Sequence, residues 1–174
     1  MSAPTPTVAL PDGTAVPRLG LGTWRFAEDP ARRDGEIAAV REGLDLGMTL
    51  VDTAEMYADG GAEELVGEAL AGRRDEAFLV DKVLPSDASH DGTLAACERA
   101  LRRLRTDHVD LYQCHRYDAD VPIEDTMEAL AEVVRRRPEH PAAATPRAVP
   151  AREEPESVHE TSRRGHLRVL RDRD

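Results

Sequence analysis

Lysine is nearly absent from this chain: of 23 Lys and Arg side chains, Lys82 is the only lysine. Aromatic residues are scarce too, at 3% of 174 residues, and the hydrophobic fraction is a modest 40%. That length still suits one domain of ordinary size with a buried core. Only two cysteines occur, Cys97 and Cys114, and they form neither a metal-binding spacing nor a disulfide framework. No metal site is expected, and a reducing compartment is. No apolar run approaches the roughly 20 residues that cross a bilayer. The opening MSAPTPTVALPDG lacks the basic and apolar regions of a signal peptide. A cytoplasmic enzyme or binding protein, with no membrane partner, is therefore expected. A net charge of -11 argues against general nucleic-acid binding, because a phosphate backbone would repel such a surface.

The charge is divided unevenly. Residues 1–134 carry 13 basic and 27 acidic side chains, whereas residues 135–174 carry 10 and 7. The second stretch, RRRPEHPAAATPRAVPAREEPESVHETSRRGHLRVLRDRD, has five prolines, no aromatic, no isoleucine and no sustained apolar period. It holds little to bury against an ordering cost of roughly 1 to 2 kcal/mol per residue. This predicts a disordered, low-complexity tail over 135–174, with AREEPE and RRGHLR as solvated charged segments.

Within 1–134 one pattern recurs four times. The β-like runs PRLGLGTW, MTLVDTAEMY, EAFLVDKVLP and HVDLYQCH alternate with helix-like segments. Helical stripes are formed by Ile37, Val40 and Leu44; by Leu65, Val66, Ala69 and Leu70; by Leu94, Cys97, Leu101 and Leu104; and by Met127, Leu130 and Val133 or Val134. Arg99, Arg102 and Arg103 fall largely outside the third stripe. Alternating βα units predict an α/β fold with a parallel sheet and crossover helices, wound open or curled toward a barrel. In front of them, VALPDGTAV reads as a hairpin turning at Pro11-Asp12-Gly13.

Asp52 ends the second β-like run, Lys82 lies near the end of the third, and His115 ends the fourth. Their spacings of 30 and 33 residues put each at an equivalent point of its βα unit. In a parallel sheet all three then share the C-terminal edge, where such folds hold ligands. Tyr57 follows Asp52 in the loop above that edge. A tyrosine hydroxyl is a weak acid, and an ammonium beside it stabilises the phenolate left when it gives up a proton. Lys82 would supply that charge, Asp52 would hold it in place, and His115 would orient a substrate carbonyl. Arginine's wide fork suits such a tight relay poorly, which explains one lysine among so many arginines. Taken singly, each has a plainer reading: Asp52 as a helix cap, His115 as a core histidine, Tyr57 as a rim cover, Lys82 as a solvated charge. Their convergence favours the site. His90 and His108 read as surface or loop residues, and Cys114 as packed against a helix rather than paired with His115. Gly20 and Gly22 lack the third glycine of a dinucleotide-binding loop.

The segments LGLGTW, DLGMTLVDTAEMY, GAEELVGEAL, FLVDKVLP, CERALRRLRTDHVDLYQCH and PIEDTMEAL resemble the N-terminal half of an aldo/keto reductase, in the same order over roughly residues 8 to 134. The resemblance implies a TIM (β/α)8 barrel, of which this chain would hold about four βα units. It also implies NADPH as hydride donor and reduction of small aldehydes or ketones to alcohols. It places the family's Asp, Tyr, Lys, His tetrad on Asp52, Tyr57, Lys82 and His115. Gly22, Thr23 and Trp24 match the segment near nicotinamide and substrate, and join Asp52 as expected cofactor-binding positions. The VLPS run resembles bacterial members acting on small aldehydes and dicarbonyls.

The departures from the family matter as well. The family's later Gly-Lys strand, Ser-Asn pair, stacking aromatic and basic 2'-phosphate loop have no counterpart in the Arg-Pro-Ala stretch. Asp81 stands where the family more often has Ser or Thr. The expectation is a truncated reductase of impaired activity; a frame change in a GC-rich gene would produce such a switch of composition. The alternatives are a catalytically dead fragment, or a half-barrel that self-associates through open edges at its first and fourth strands.

Overall fold

The computed structural model describes residues 6–136. Each of the four β-like runs condenses into a short strand: β3 (Gly20–Gly22), β4 (Leu50–Asp52), β5 (Phe78–Val83) and β6 (Leu111–Cys114). They hydrogen-bond in that order and all pairings are parallel. A doubly wound sheet reverses its strand order at a switch point, whereas a barrel wall does not. The unreversed order is that of a barrel wall. Helices α1 (Arg33–Asp45), α2 (Gly61–Ala69), α3 (His90–Leu104) and α4 (Ile123–Arg136) each follow one strand and pack against their sequence neighbours. In front, β1 (Thr7–Ala9) and β2 (Ala15–Pro17) form the expected antiparallel hairpin, closed by hydrogen bonds between Leu10 and Thr14 and from Gly13 to Leu10. The fold class is thus as the sequence predicts: four βα units of a partial barrel behind a hairpin.

Strand alternation divides β5 into two faces. Leu79 and Val83 enter the core with Ile37, Val40 and Leu44 of α1, Leu65 and Val66 of α2, and Cys97 and Leu104 of α3. Burying each of Leu65 and Leu79 completely contributes roughly 1.5 to 3 kcal/mol. Phe78, Val80 and Lys82 point the opposite way, toward the inner face of the wall. Cys114 is a free thiol in the helix-side core, where the sequence places it. Helices α2 and α3 meet at Gly67, whose missing Cβ would lie 2.7 Å from the carbonyl oxygens of Arg103 and Leu104. Any side chain there would push the two helices apart.

Three details differ from the sequence reading. The core edge of α3 is Thr93, Ala96, Cys97, Ala100 and Leu104, while Leu94 and Leu101 are only half-buried. This helix packs between α2 and α4, so its buried arc is wider than one apolar stripe, and small residues allow the close approach. His108 lies in a loop but is buried, and His90 opens α3, where it meets Asp91 and Glu132 and ties α3 to α4. Helix α4 continues through Arg136, two residues past the change of composition. The predicted disorder otherwise falls on 137–174, outside the described residues. Among the described residues no helix is long and apolar enough to cross a membrane.

Candidate active site

Three strand ends carry the polar groups. Asp52 is the last residue of β4 and pairs with Val80, two residues before Lys82, so Asp52 and Lys82 share the inner face at successive levels. His115 follows β6, and its N–H donates to the Val83 carbonyl at 2.9 Å, extending the ladder by one residue. The Lys82 ammonium donates to Asp52 Oδ1 at 2.7 Å and to the Thr53 carbonyl at 2.9 Å. It lies 5.3 Å from the centre of the Tyr57 ring, within cation–π range. The Tyr57 ring in turn meets the His115 imidazole edge-on, 5.9 Å between centres at 84°. The structure therefore brings Asp52, Tyr57, Lys82 and His115 together.

The electrostatics follow from partial burial. Lys82 has 11% of its side chain exposed and Asp52 33%, so their attraction is screened less than on an open surface. Burial, then the charges of Lys82 and Arg116, push the His115 imidazole below its usual value, against an opposing pull from Asp52. His115 is thus neutral at neutral pH and carries one N–H to donate. Its Nδ1 is buried with no hydrogen-bond partner among the described residues. The rim thus brings together a phenol, a fixed ammonium beside it, and a neutral imidazole against the phenol ring.

Gly22, Thr23 and Trp24 leave β3 next to Asp52 but are placed very differently. Thr23 is fully buried, and its N–H and hydroxyl both donate to the Asp52 carbonyl at 3.0 Å. Its side chain clamps two strand ends. Trp24 is 72% exposed, and nothing lies within 4 Å of where a Cβ of Gly22 would stand.

Sequence reasoning missed the charged cluster behind the rim. Glu55, in the loop between Asp52 and Tyr57, accepts from Arg99 at 3.0 and 3.2 Å and from Arg103 at 2.8 Å. Arg99 also reaches Asp87 at 2.7 Å, and Arg103 reaches Glu63 at 2.9 Å. The available signal was the i, i+4 spacing of Arg99 and Arg103 beside the α3 stripe; nothing in the sequence named their partners. Burial acts to raise the Glu55 carboxyl, but the hydrogen bonds and charges of the two arginines more than offset it and hold the group below the usual carboxylate range.

Asp81 faces the helices, away from Lys82 as strand geometry requires, and is fully buried. No hydrogen bond of good geometry reaches either carboxylate oxygen, and Glu63 Oε1 is likewise unpartnered. Burial, then the charge of Glu63, push Asp81 well above its ordinary value. Burial raises Glu63 too, partly offset by Arg103, and the two carboxyls lie close enough for one to donate a proton to the other. This has a pH consequence. The unfolded chain releases both protons above about pH 4, whereas the folded pair retains at least one. This pair's contribution to stability is therefore largest at acidic pH and is lost as pH rises toward its folded pKa values, opposite in sign to that of Glu55, whose lowered carboxyl favours the fold above acidic pH. Asp81→Asn, an uncharged isostere able to donate to Glu63, is expected to flatten that fall and to raise stability in alkaline buffer. Urea unfolding across a pH series checks this; parallel parent and variant curves would show that Asp81 is ionised at no cost.

An acid, a phenol, an amine and an imidazole thus meet on the C-terminal rim of a β/α barrel wall, the edge where proteins of this class hold their ligands. The chain belongs to the aldo/keto reductase family, whose model matches residues 18–136. It is 49% identical over 120 residues to methylglyoxal reductase YeaE of Escherichia coli, which covers 69% of this chain and 42% of that protein. It is 38% identical over 134 residues to aldo-keto reductase YhdN of Bacillus subtilis, covering 70% and 40%. An aldo/keto reductase from Klebsiella pneumoniae, solved in complex with NADP and acetate, superposes with a TM-score of 0.72 at 48% identity, covering 76% of this chain and 47% of that one. The chain thus spans about two fifths of the length of these curated relatives.

Proposed function

We propose that Asp52, Tyr57, Lys82 and His115 form the proton-transfer side of an NADPH-dependent carbonyl reductase acting on small aldehydes and ketones. The observation that carries this reading is the position of the Lys82 ammonium, 2.7 Å from Asp52 and over the Tyr57 ring, with His115 against the same ring. Tyr57 gives its hydroxyl proton to the carbonyl oxygen, and the Lys82 ammonium stabilises the phenolate left behind. Neutral His115 donates its N–H to the same oxygen and orients it. Asp52 acts through Lys82, holding it in place.

The residues present suit a flat polar ring beside them. His115 Nδ1 is a buried nitrogen lacking a partner among the described residues, Gly22 offers bare backbone, and Trp24 presents an exposed face. Gly22, Trp24 and Asp52 would border a nicotinamide, with Thr23 bracing Asp52 from behind. When bound, that cofactor supplies the hydride. The described residues hold only one side of it, and fixing two reactants at attack distance is worth roughly 7 to 11 kcal/mol of barrier.

Weak NADPH binding and slow turnover are therefore expected of the 174-residue chain. A chain continued with the downstream half of a relative is expected to recover both. Titration with NADPH, read by quenching of Trp24, and reduction of methylglyoxal test the two forms side by side. An extended chain that binds NADPH without reducing any small carbonyl would leave a catalytically inert scaffold and end this reading.

A second reading rests on the sheet edges. Among the described residues β3 and β6 each pair on one side only, so a second copy could add its strands there. Micromolar NADPH binding by the short chain, at a molar mass of two copies in solution, would favour it.

A further inference from the structure

The segment that carries Tyr57 has only a short set of backbone hydrogen bonds of its own, from the Tyr57 amide to Ala54 and from the Gly61 amide to the Tyr57 and Ala58 carbonyls. Immediately after Tyr57 the backbone turns left-handed three times, at Ala58 (φ 51), Asp59 (φ 53) and Gly60 (φ 85). Such conformations are unfavourable for Ala and Asp, so contacts from elsewhere must select them. Within the loop, the Tyr57 amide makes one backbone hydrogen bond, to the Ala54 carbonyl at 3.0 Å.

The missing hold comes from α3. Arg103 Nη1 bridges Glu55 Oε1 at 2.8 Å and Glu63 Oε2 at 2.9 Å, one partner on each side of Tyr57 in sequence. Its guanidinium also fills the space beside Gly60: a Cβ there would lie 2.5 Å from Arg103 Cζ. Arg99 grips Glu55 with its Nε and Nη2, and its second bond to Asp87 ties the loop to the turn after β5, the strand of Lys82. Glu55 is buried and Glu63 wholly so. Charge-assisted bonds at low exposure are among the stronger ones available.

We propose that Glu55, clamped by Arg99 and Arg103, is a positioning residue that sets the Tyr57 hydroxyl over the rim. The clamp closes on residues 55–63 from behind, on the helix side, and leaves the rim open to substrate. It touches neither Lys82 nor His115. The importance of this device for reduction rests on the reading of Tyr57 as proton donor, but its geometry does not.

The test uses the full 174-residue chain and needs no turnover. In the parent, the His115 imidazole protons are expected to feel the ring current of Tyr57, 5.9 Å away and edge-on, and the hydrogen-bonded Tyr57 amide to exchange slowly. In Glu55→Gln, the His115 resonances are expected to move toward free-imidazole positions, with Tyr57 amide exchange faster by roughly 10- to 100-fold. Asp87→Asn, which takes the charge from the other partner of Arg99 while sparing Glu55, is expected to stay near the parent. Arg99→Lys keeps the charge, loses the fork, and decides the matter if Glu55→Gln does not fold; a smaller shift in the same direction is expected. A folded Glu55→Gln or Arg99→Lys chain with His115 and Tyr57 signals at parent positions would overturn the proposal. So would an Asp87→Asn chain as disturbed as Glu55→Gln, since a general loosening would then explain both. If the clamp variants free the ring while Tyr57→Phe leaves turnover intact, the positioning stands and the acid role falls.

Discussion

Replacing Tyr57 by phenylalanine is expected to lower carbonyl reduction by roughly 10² to 10⁴-fold, the contribution of a positioned acid, and to leave the fold unchanged. The substitution deletes one oxygen from a half-buried side chain whose ring stays against His115 and under the Lys82 ammonium. No hydrogen bond that holds the loop passes through that oxygen: Tyr57 is anchored by its amide, by Glu55 and by the packing of Gly60. The loss should therefore fall on kcat in whichever form of the chain turns over, with KM for NADPH little changed. Steady-state kinetics with methylglyoxal, alongside urea unfolding of both proteins, make the measurement. Near-parent turnover by a folded Tyr57→Phe protein would remove Tyr57 from the mechanism.

The features legible in the sequence were those with a period or a fixed spacing. Four β-like runs at regular intervals gave the parallel sheet, and equal positions within each unit put Asp52, Lys82 and His115 on one edge. Strand alternation also placed Asp81 on the opposite face from Lys82. What escaped depends on which side chains meet across elements. Glu55 sits between two candidate residues, yet nothing in VDTAEMY reveals that its carboxylate turns backward to α3. Arg99 and Arg103 were visible as residues outside the apolar stripe. That Arg103 also takes the space beside Gly60 depends on a left-handed backbone that no local pattern announced. Thr23 was legible as a rim position, but its hydroxyl is committed to the Asp52 carbonyl, because β3 ends level with β4. The electrostatic coupling of the buried Asp81 and Glu63 carboxyls lay beyond reach for the same reason: they belong to different elements, β5 and α2.

Lys82→Arg is expected to be as severe as the loss of the phenol, although it keeps the charge. The lysine nitrogen is a single compact centre that makes two short donations, 2.7 Å to Asp52 Oδ1 and 2.9 Å to the Thr53 carbonyl, while lying over the Tyr57 ring. With 11% of the side chain exposed there is little room for a planar fork nearly twice as wide. An arginine can satisfy Asp52 with a bidentate pair, but its positive charge is then spread along the carboxylate and away from the phenol, and the Thr53 carbonyl loses its donor. The first change weakens stabilisation of the developing phenolate, and the second loosens the start of the loop that carries Tyr57. Lys82→Met, which removes the charge at similar length, separates the two effects: it should abolish turnover at least as fully while placing nothing oversized at the site. If Lys82 serves only as a structural ion pair, Arg should preserve activity because the pair with Asp52 survives. If it serves the phenol, Arg and Met should fall together by roughly 10²-fold or more, with the Arg chain showing His115 resonances displaced from those of the parent. An arginine variant as active as the parent would leave the solitary lysine without a catalytic explanation.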